Sequence, residues 1–185
     1  MMFGTLDATP VGPVSLIAGD NGLERIAFST LQDLKKAEAG EDETPSLKGL
    51  ETVSALLAQL NEYFFGIRKV FDVEIDWDAI TGFQRDVLQL TCKIPFGEFR
   101  TYGELAETLG ETGGSRAVGA ALANNPIPIV IPCHRVVGKD RRLHGYTAPD
   151  GIKTKAFLLT LEGNTVNNFK VALPEGPLFQ GVSYE

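Results

Sequence analysis

The sequence has few of the residues that staple small folds or bind metal ions. Its 185 residues include two cysteines, Cys92 and Cys133, and two histidines, His134 and His144. Two cysteines are too few for a disulfide scaffold, and the one bridge they allow indicates export only weakly. The same four side chains leave no reasonable set for a tetrahedral zinc site. We therefore expect reduced thiols and no metal.

Long hydrophobic runs and a secretion signal are also missing. No apolar run approaches the roughly 18 residues of a membrane-spanning helix, and residues 1–13 lack a basic segment followed by an apolar one. The hydrophobic fraction of 43% and the charged fraction of 22% are typical of a globular protein. These features favour a protein of the cytoplasm, or of the nucleus in a eukaryote, without membrane contact.

Positive charge is scarce in the chain as a whole. Seventeen Lys and Arg stand against 24 Asp and Glu, and this net charge of −7 disfavours a nucleic-acid partner because phosphates repel it. The charge is uneven, however. An acidic, charge-rich stretch over residues 35–43 is expected to be an exposed connection, whereas residues 115–170 carry a net charge of +5. Such a local excess indicates either a solvated face or an anionic partner.

The first part of the chain predicts a small α/β domain over residues 1–78. Apolar residues 14–18 and 23–28 flank Asn21-Gly22, which is the strongest short signal for a β-hairpin. Apolar residues then recur at helical spacing from Leu50 to Phe64. Alternating apolar and acidic residues over 71–76 predict a half-buried strand.

Helical patterns dominate after residue 80. Thr81 and Thr101 are suitable N-caps for the first two helices. Cys92 is expected to be a buried small residue on the first helix. The second and third helices, joined by a Gly-containing turn, are typical of a helix-turn-helix, although short helical hairpins without DNA contact are more common. The predicted helices cover residues 83–92, 102–109, 116–123 and 151–161.

The segment from Asn125 to Gly138 carries the candidate chemistry. Three prolines fix its backbone, the apolar residues between them should be buried, and the resulting turn presents Cys133 beside His134. A thiol is a nucleophile only as the thiolate, and a histidine can act as the base that forms it. Taken alone, such a pair is more often an inert cysteine beside a surface histidine. A thiol hydrolase would carry the same two residues.

The residues around this pair resemble a known family. Ile131-Pro132-Cys133-His134-Arg135-Val136-Val137 is similar to the active-site signature of the O6-alkylguanine-DNA alkyltransferases, also called methylated-DNA–protein-cysteine methyltransferases. The resemblance covers residues 5–165. Further motifs in the family's order are Thr9-Pro10-Val11-Gly12-Pro13, Phe83-Gln84, Pro95-Phe96-Gly97-Glu98, Thr101-Tyr102, Arg116-Ala117-Val118-Gly119, Asn125-Pro126, Gly145-Tyr146 and Leu161-Glu162-Gly163.

This resemblance implies a stoichiometric DNA repair reaction without a cofactor. Cys133 would take the alkyl group irreversibly from O6-alkylguanine, and from O4-alkylthymine, in a single turnover that consumes the protein. The implied partner is double-stranded DNA, bound in its minor groove with the target base flipped out, by a monomer that needs no protein partner. A non-catalytic sensor of alkylated DNA with the same fold is the alternative, but relatives without transfer activity lack the cysteine that is present here.

The resemblance also implies a fold and roles for individual residues. It implies an α/β (α+β) protein with a ribonuclease-H-like domain over residues 1–78, a helical domain with a helix-turn-helix over 79–168, and a tail over 169–185. Glu162, His134 and a water would form the relay that deprotonates Cys133, and Tyr102 would stabilise the departing guanine. Arg116 would fill the space that the flipped base leaves in the stack. Thr101, Ser115 and Ala123 are further candidate DNA contacts, and Asn125, Val136, Tyr146 and Thr147 are candidate structural and pocket residues.

Overall fold

A computed structural model describes residues 1–38, 46–80 and 82–173 of the chain. Within these residues the protein is a mixture of helices and short strands, which confirms the predicted mixed fold class. The predicted cap Thr81 and most of the tail predicted over 169–185 lie outside them. No helix of the described part is long and apolar enough to cross a membrane.

The chain begins with an antiparallel sheet in the order β1-β2-β3, formed by β1 (Met2–Leu6), β2 (Val14–Gly19) and β3 (Gly22–Ala27). The predicted hairpin is confirmed as β2 and β3. Its turn needs glycine, because Gly22 has a φ of +122° and a Cβ there would lie 2.5 Å from the carbonyl oxygen of Glu74.

Two helices follow the sheet. Helix α1 (Leu31–Ala37) takes in the beginning of the connection predicted over residues 35–43, and residues 39–43 lie outside the described part. Helix α2 (Leu47–Phe64) confirms the predicted long helix and packs against β1 and β2. Gly4 allows this close contact, because a Cβ on it would lie 2.5 Å from the side chain of Val53.

The prediction of a strand over residues 71–76 is wrong. The alternation of half-buried and exposed residues is present over residues 71–75, but the backbone pairs with the sheet only through one isolated bridge from Leu23 to Ile75. The physical reason is that a side chain, and not a neighbouring strand, forms hydrogen bonds with this backbone. The amide of Gln59 accepts from the backbone N–H of Asp72 at 2.7 Å and donates to its carbonyl at 2.8 Å.

The remaining helices agree with the prediction to within a residue at each end. They pack so that α3 and α4 both contact α5. Cys92, at the last position of α3, was predicted to be buried, but it is exposed. The buried face of this helix is formed by Val87, Leu88 and Thr91, and the residue that follows Thr91 points away from it. The four helices are α3 (Gly82–Cys92), α4 (Tyr102–Thr108), α5 (Ser115–Ala123) and α6 (Ile152–Leu161).

Short strands connect these helices to the segment around Cys133. Strand β4 (Arg100–Thr101) pairs in parallel with β5 (Val136–Val137), and α4 begins directly where β4 ends. Strands β6 (Val166–Asn167) and β7 (Lys170–Val171) form a separate antiparallel pair. A single 3₁₀ turn, Cys133–Arg135, immediately precedes β5. The segment around Cys133 is therefore held between helices and a strand pair.

One hydrophobic core runs through both halves of the chain. It contains Leu16 and Leu56 from the N-terminal elements together with Val118 and Ile131 from the C-terminal ones, all fully buried. The side chains of α2 thus lie close enough to the Cys133 segment to contribute to its surroundings.

Candidate active site

Cys133 is held by a rigid loop that Asn125 braces from inside. The Asn125 amide donates to the carbonyl of Ile131 at 2.9 Å and to the Cys133 sulfur at 3.2 Å, while its oxygen accepts from the backbone of Ile127 at 3.0 Å. Ile129 has a φ of +75°, a strained conformation for a β-branched residue. The surrounding contacts thus fix the loop in one conformation and set the position of the sulfur.

His134 is completely buried and points towards a carboxylate. Its Nε2 lies 2.8 Å from Oε1 of Glu162. A carboxylate accepts hydrogen bonds, so Nε2 carries the proton and Nδ1 keeps its lone pair. Nδ1 has no hydrogen-bond partner among the described residues. This is the tautomer that can accept a proton from a neighbouring thiol.

Glu162 is the centre of a network that reaches three parts of the chain. Arg135 donates to it twice, from Nε to Oε2 at 2.8 Å and from Nη2 to Oε1 at 2.9 Å. The Tyr63 hydroxyl donates to Oε1 at 2.8 Å, and the backbone N–H of Gly97 donates to Oε2 at 3.3 Å. Burial alone would raise the pKa of this carboxyl, but His134 and Arg135 outweigh burial and hold it at about 2. Glu162 is therefore ionised at any pH near neutrality.

Lys155 brings a buried positive charge close to the cysteine. Its side chain is 1% exposed, and its Nζ donates to the carbonyl of Val136 at 2.6 Å and to the Tyr102 hydroxyl at 3.4 Å. Among the described residues no carboxylate pairs with it. Burial lowers its pKa to about 8, with the neighbouring Cys133 opposing that shift. At neutral pH the ammonium form is still the major one.

The Cys133 thiol at rest is protonated. Burial raises its pKa, and the amide of Asn125 and the charge of Lys155 oppose this rise only in part. Burial also raises the pKa of the Tyr102 phenol to about 12, so Tyr102 remains a proton donor. A reaction at the sulfur therefore needs a base, and the free nitrogen of His134 is suited to that role.

An open groove gives access to this centre. Its volume is about 1060 Å³, and Cys133 lies on its wall. Eight further residues of interest line the same groove: seven are predicted site residues, and the eighth is Lys155. His134, Glu162, Asn125 and Val136 lie buried behind this wall. The eight lining residues are Thr101, Tyr102, Ser115, Arg116, Ala123, Tyr146, Thr147 and Lys155.

Comparison with known proteins relates this arrangement to a family. The model for the 6-O-methylguanine DNA methyltransferase, DNA binding domain, matches residues 82–164. The methylated-DNA–protein-cysteine methyltransferase of Methanosarcina acetivorans is 39% identical over 163 residues, which are 88% of this chain and 99% of that protein. The chain belongs to the methylated-DNA–protein-cysteine methyltransferase family.

Solved structures of this methyltransferase family agree with the fold. The crystal structure of the O6-methylguanine methyltransferase of Mycobacterium tuberculosis has a TM-score of 0.69 and 37% identity, covering 87% of this chain and 93% of that one. The structure of the same organism's enzyme in complex with DNA has a TM-score of 0.67 and 38% identity, covering 86% and 91%.

Three residues of this methyltransferase site were not assigned by the sequence analysis. Arg135 lies in the quoted signature without a role. Tyr63 lies within the predicted long helix but outside the pattern that predicted it, and Lys155 lies in a predicted helix with no assigned function. For Arg135, its position directly after Cys133 and His134 in the signature was a usable signal. Nothing local distinguishes Tyr63 or Lys155, because burial against distant residues is what defines them.

Proposed function

We propose that this protein repairs O6-alkylguanine in DNA by moving the alkyl group to Cys133, once per molecule. The sulfur attacks the alkyl carbon, the bond from that carbon to O6 breaks, and the base leaves as guanine while the cysteine becomes a thioether. The thiol proton ends on the guanine, so the reaction balances without a cofactor. The observation that carries this proposal is the buried His134–Glu162 pair behind a cysteine that lines an open groove.

His134 acts as the general base in this reaction. Nε2 is held by Glu162 at 2.8 Å, which leaves Nδ1 to take the proton of Cys133, directly or through one water. The ionised Glu162 stabilises the imidazolium that results. The thiolate therefore forms at the moment of reaction, although burial keeps the resting thiol protonated.

Lys155 and Tyr102 stabilise the charges that develop on the sulfur and on the departing base. The ammonium of Lys155 stabilises the thiolate, and its 3.4 Å contact orients the phenol of Tyr102. The phenol then donates to the guanine as negative charge moves onto the base. Both contributions act where charge appears in the transition state, which is where electrostatic stabilisation accelerates a reaction.

We further propose how DNA reaches the groove. Helices α4 and α5 form a helix-turn-helix that lies in the minor groove, with Thr101, Ser115 and Ala123 near the backbone. Arg116 is exposed on the groove wall, where its planar guanidinium can stack in place of the flipped base. The base then sits against Tyr146 and Thr147, beside the sulfur, and the buried Val136 supports this pocket from behind the wall.

The wider assignments follow from the same proposal. The N-terminal part has ribonuclease-H-like character and ends near residue 78, and the DNA-binding part runs from 79 to 168. The protein acts as a monomer on double-stranded DNA, in the cytoplasm or in the nucleus of a eukaryote. O4-alkylthymine is a second substrate, because it presents the same alkyl–oxygen bond.

The test is the stoichiometry of transfer. Duplex DNA with radiolabelled O6-methylguanine should label the protein to one equivalent per chain and then stop, and Cys133→Ala should take up no label. Continued release of product would favour a thiol hydrolase. Binding of the methylated duplex without label on the wild-type chain would favour a lesion sensor.

A further inference from the structure

Tyr63 belongs to the N-terminal part of the chain but its hydroxyl ends in the active site. It lies in the last turn of α2 and is completely buried. The hydroxyl donates to Oε1 of Glu162 at 2.8 Å, between residues 99 positions apart in sequence. Burial and the neighbouring carboxylate raise the pKa of this phenol well above its usual value, so it stays a donor.

The oxygen that Tyr63 contacts is the one that His134 uses. Oε1 accepts from Tyr63, from Nε2 of His134 and from Nη2 of Arg135, whereas Oε2 accepts from Nε of Arg135 and from the backbone of Gly97. Three donors compete for the charge of one oxygen, so the strength of the bond to His134 depends on the other two.

The ring of Tyr63 is fixed independently of its hydroxyl. Phe64, Phe71 and Phe96 surround it with ring-centre distances of 5.6, 5.3 and 6.3 Å. A phenylalanine would keep these contacts. The hydroxyl, which would be costly to bury unpaired, therefore has its one described partner in Glu162.

We propose that Tyr63 is a positioning residue for alkyl transfer, through which α2 holds the carboxylate that orients and tunes His134. The proposal rests on the role given to His134 above. Arg135 already neutralises Glu162 through two hydrogen bonds, so folding does not depend on Tyr63 for charge balance. What Tyr63 adds is a third donor on the oxygen facing the base.

The direction of the effect follows from that geometry. Without the hydroxyl, more negative charge on Oε1 faces His134 and favours its imidazolium form. The pH at which His134 becomes a free base then rises, and the rate–pH curve moves to higher pH. The other charged or titratable groups around the pair are Arg135, Lys155, Cys133 and Tyr146, and all four remain in the variant.

The experiment compares Tyr63→Phe with Phe71→Leu. Phe71→Leu loosens the packing around the same ring but keeps the hydroxyl. Single-turnover transfer from free O6-benzylguanine is followed across the pH range, with thermal unfolding in parallel. We expect Tyr63→Phe to move the rising limb to higher pH, so that the rate at a fixed pH on that limb falls roughly three- to tenfold because less of His134 is free base. Phe71→Leu should lower the unfolding temperature without moving the limb.

A double-mutant cycle then asks whether Tyr63 acts through Glu162. In a Glu162→Gln background, Tyr63→Phe should cause little further loss of rate, because the two residues form one unit. An unchanged rate and limb in Tyr63→Phe, or the same fold-loss in both backgrounds, would overturn the proposal while leaving transfer by the wild-type chain intact. The pH comparison decides the question by itself if the Glu162→Gln chain does not fold.

Discussion

Lys155 is a buried cation that is kept charged without a carboxylate partner among the described residues. Removing an ammonium from water costs several kcal/mol unless other groups compensate. Here the compensation comes from one carbonyl, one phenol and the cysteine whose charge appears only during reaction. This cost to stability and the closeness of Lys155 to Cys133 support the role proposed for it in the reaction.

We therefore expect Lys155→Met to slow alkyl transfer about tenfold or more while leaving unfolding stability unchanged or improved. The methionine fills the same space but has no charge to stabilise the thiolate, and it removes a buried ion. Single-turnover rates with free O6-benzylguanine and urea unfolding measure the two effects. Lys153→Met, an exposed change on the same helix, is the matched control. A normal rate in Lys155→Met would exclude the electrostatic role.

At the scale of elements, the first residues of α4 and α5 determine where two side chains lie on the wall of the groove. Thr101 ends β4 and caps α4 in a full capping box with Glu104, so Tyr102 is the first helical residue and its position is fixed. Helix α5 begins at Ser115, which puts Arg116 in its first turn and on the exposed wall. The residue proposed to donate to the base and the residue proposed to replace it in the stack are thus each positioned by the start of a helix.

This placement gives a prediction for Arg116→Ala. Transfer from methylated duplex DNA should fall by at least about tenfold, because the flipped base loses the group that holds its place in the stack. Transfer from free O6-benzylguanine should be unchanged, because no base has to leave a helix.

The control for that comparison is Arg142→Ala, which removes an exposed arginine paired with Asp140 outside the groove lining. It should affect neither substrate. Equal losses on the duplex and on the free base in Arg116→Ala would contradict the stacking role.

The same scale shows what sequence could and could not predict. The hairpin at Gly22 and the helix capped by Thr101 carry their signals within a few residues, so local patterns suffice. The strand over 71–76 failed because Gln59, a dozen residues earlier, takes the backbone bonds a strand would have made. Strand β1 was not predicted, because Gly4 weakens the strand pattern of its sequence. The same glycine is what allows α2 to pack closely against this strand.

For the site, the family resemblance predicted Cys133, His134 and Glu162, and it paired the two residues, His134 and Glu162, that the structure joins at 2.8 Å. It did not reveal Tyr63 or Lys155, whose roles depend on which distant groups the fold brings against them. The net charge of the whole chain was similarly uninformative, because the acidic residues lie largely outside the segment that borders the groove.

At the scale of the whole molecule, Glu162 connects the catalytic centre to acid stability. Its pKa is about 2 in the folded protein against an ordinary value of 4.5. The unfolded chain therefore binds a proton in this window that the folded chain does not. This contribution to stability is complete above about pH 5 and is lost as pH falls towards 2, with a size of about 3 kcal/mol.

Glu162→Gln should make this contribution visible. The variant lacks the titrating group and leaves Arg135 without its counter-ion, so it should be clearly less stable at neutral pH. Urea unfolding at several pH values should show the gap between wild type and variant narrowing as the solution is acidified. A gap that stays constant from neutral to acidic pH would show that another group carries the effect.

The contact between Glu162 and His134 can form only late in the synthesis of the chain. Synthesis yields Tyr63 first, then the cysteine and His134, and Glu162 comes 28 residues after His134. Until α6 docks on the turn, the imidazole has no carboxylate to fix its tautomer, and the thiol has no organised proton acceptor. We therefore expect the chain to become competent for alkyl transfer only once α6 has docked, after most of it has been synthesised.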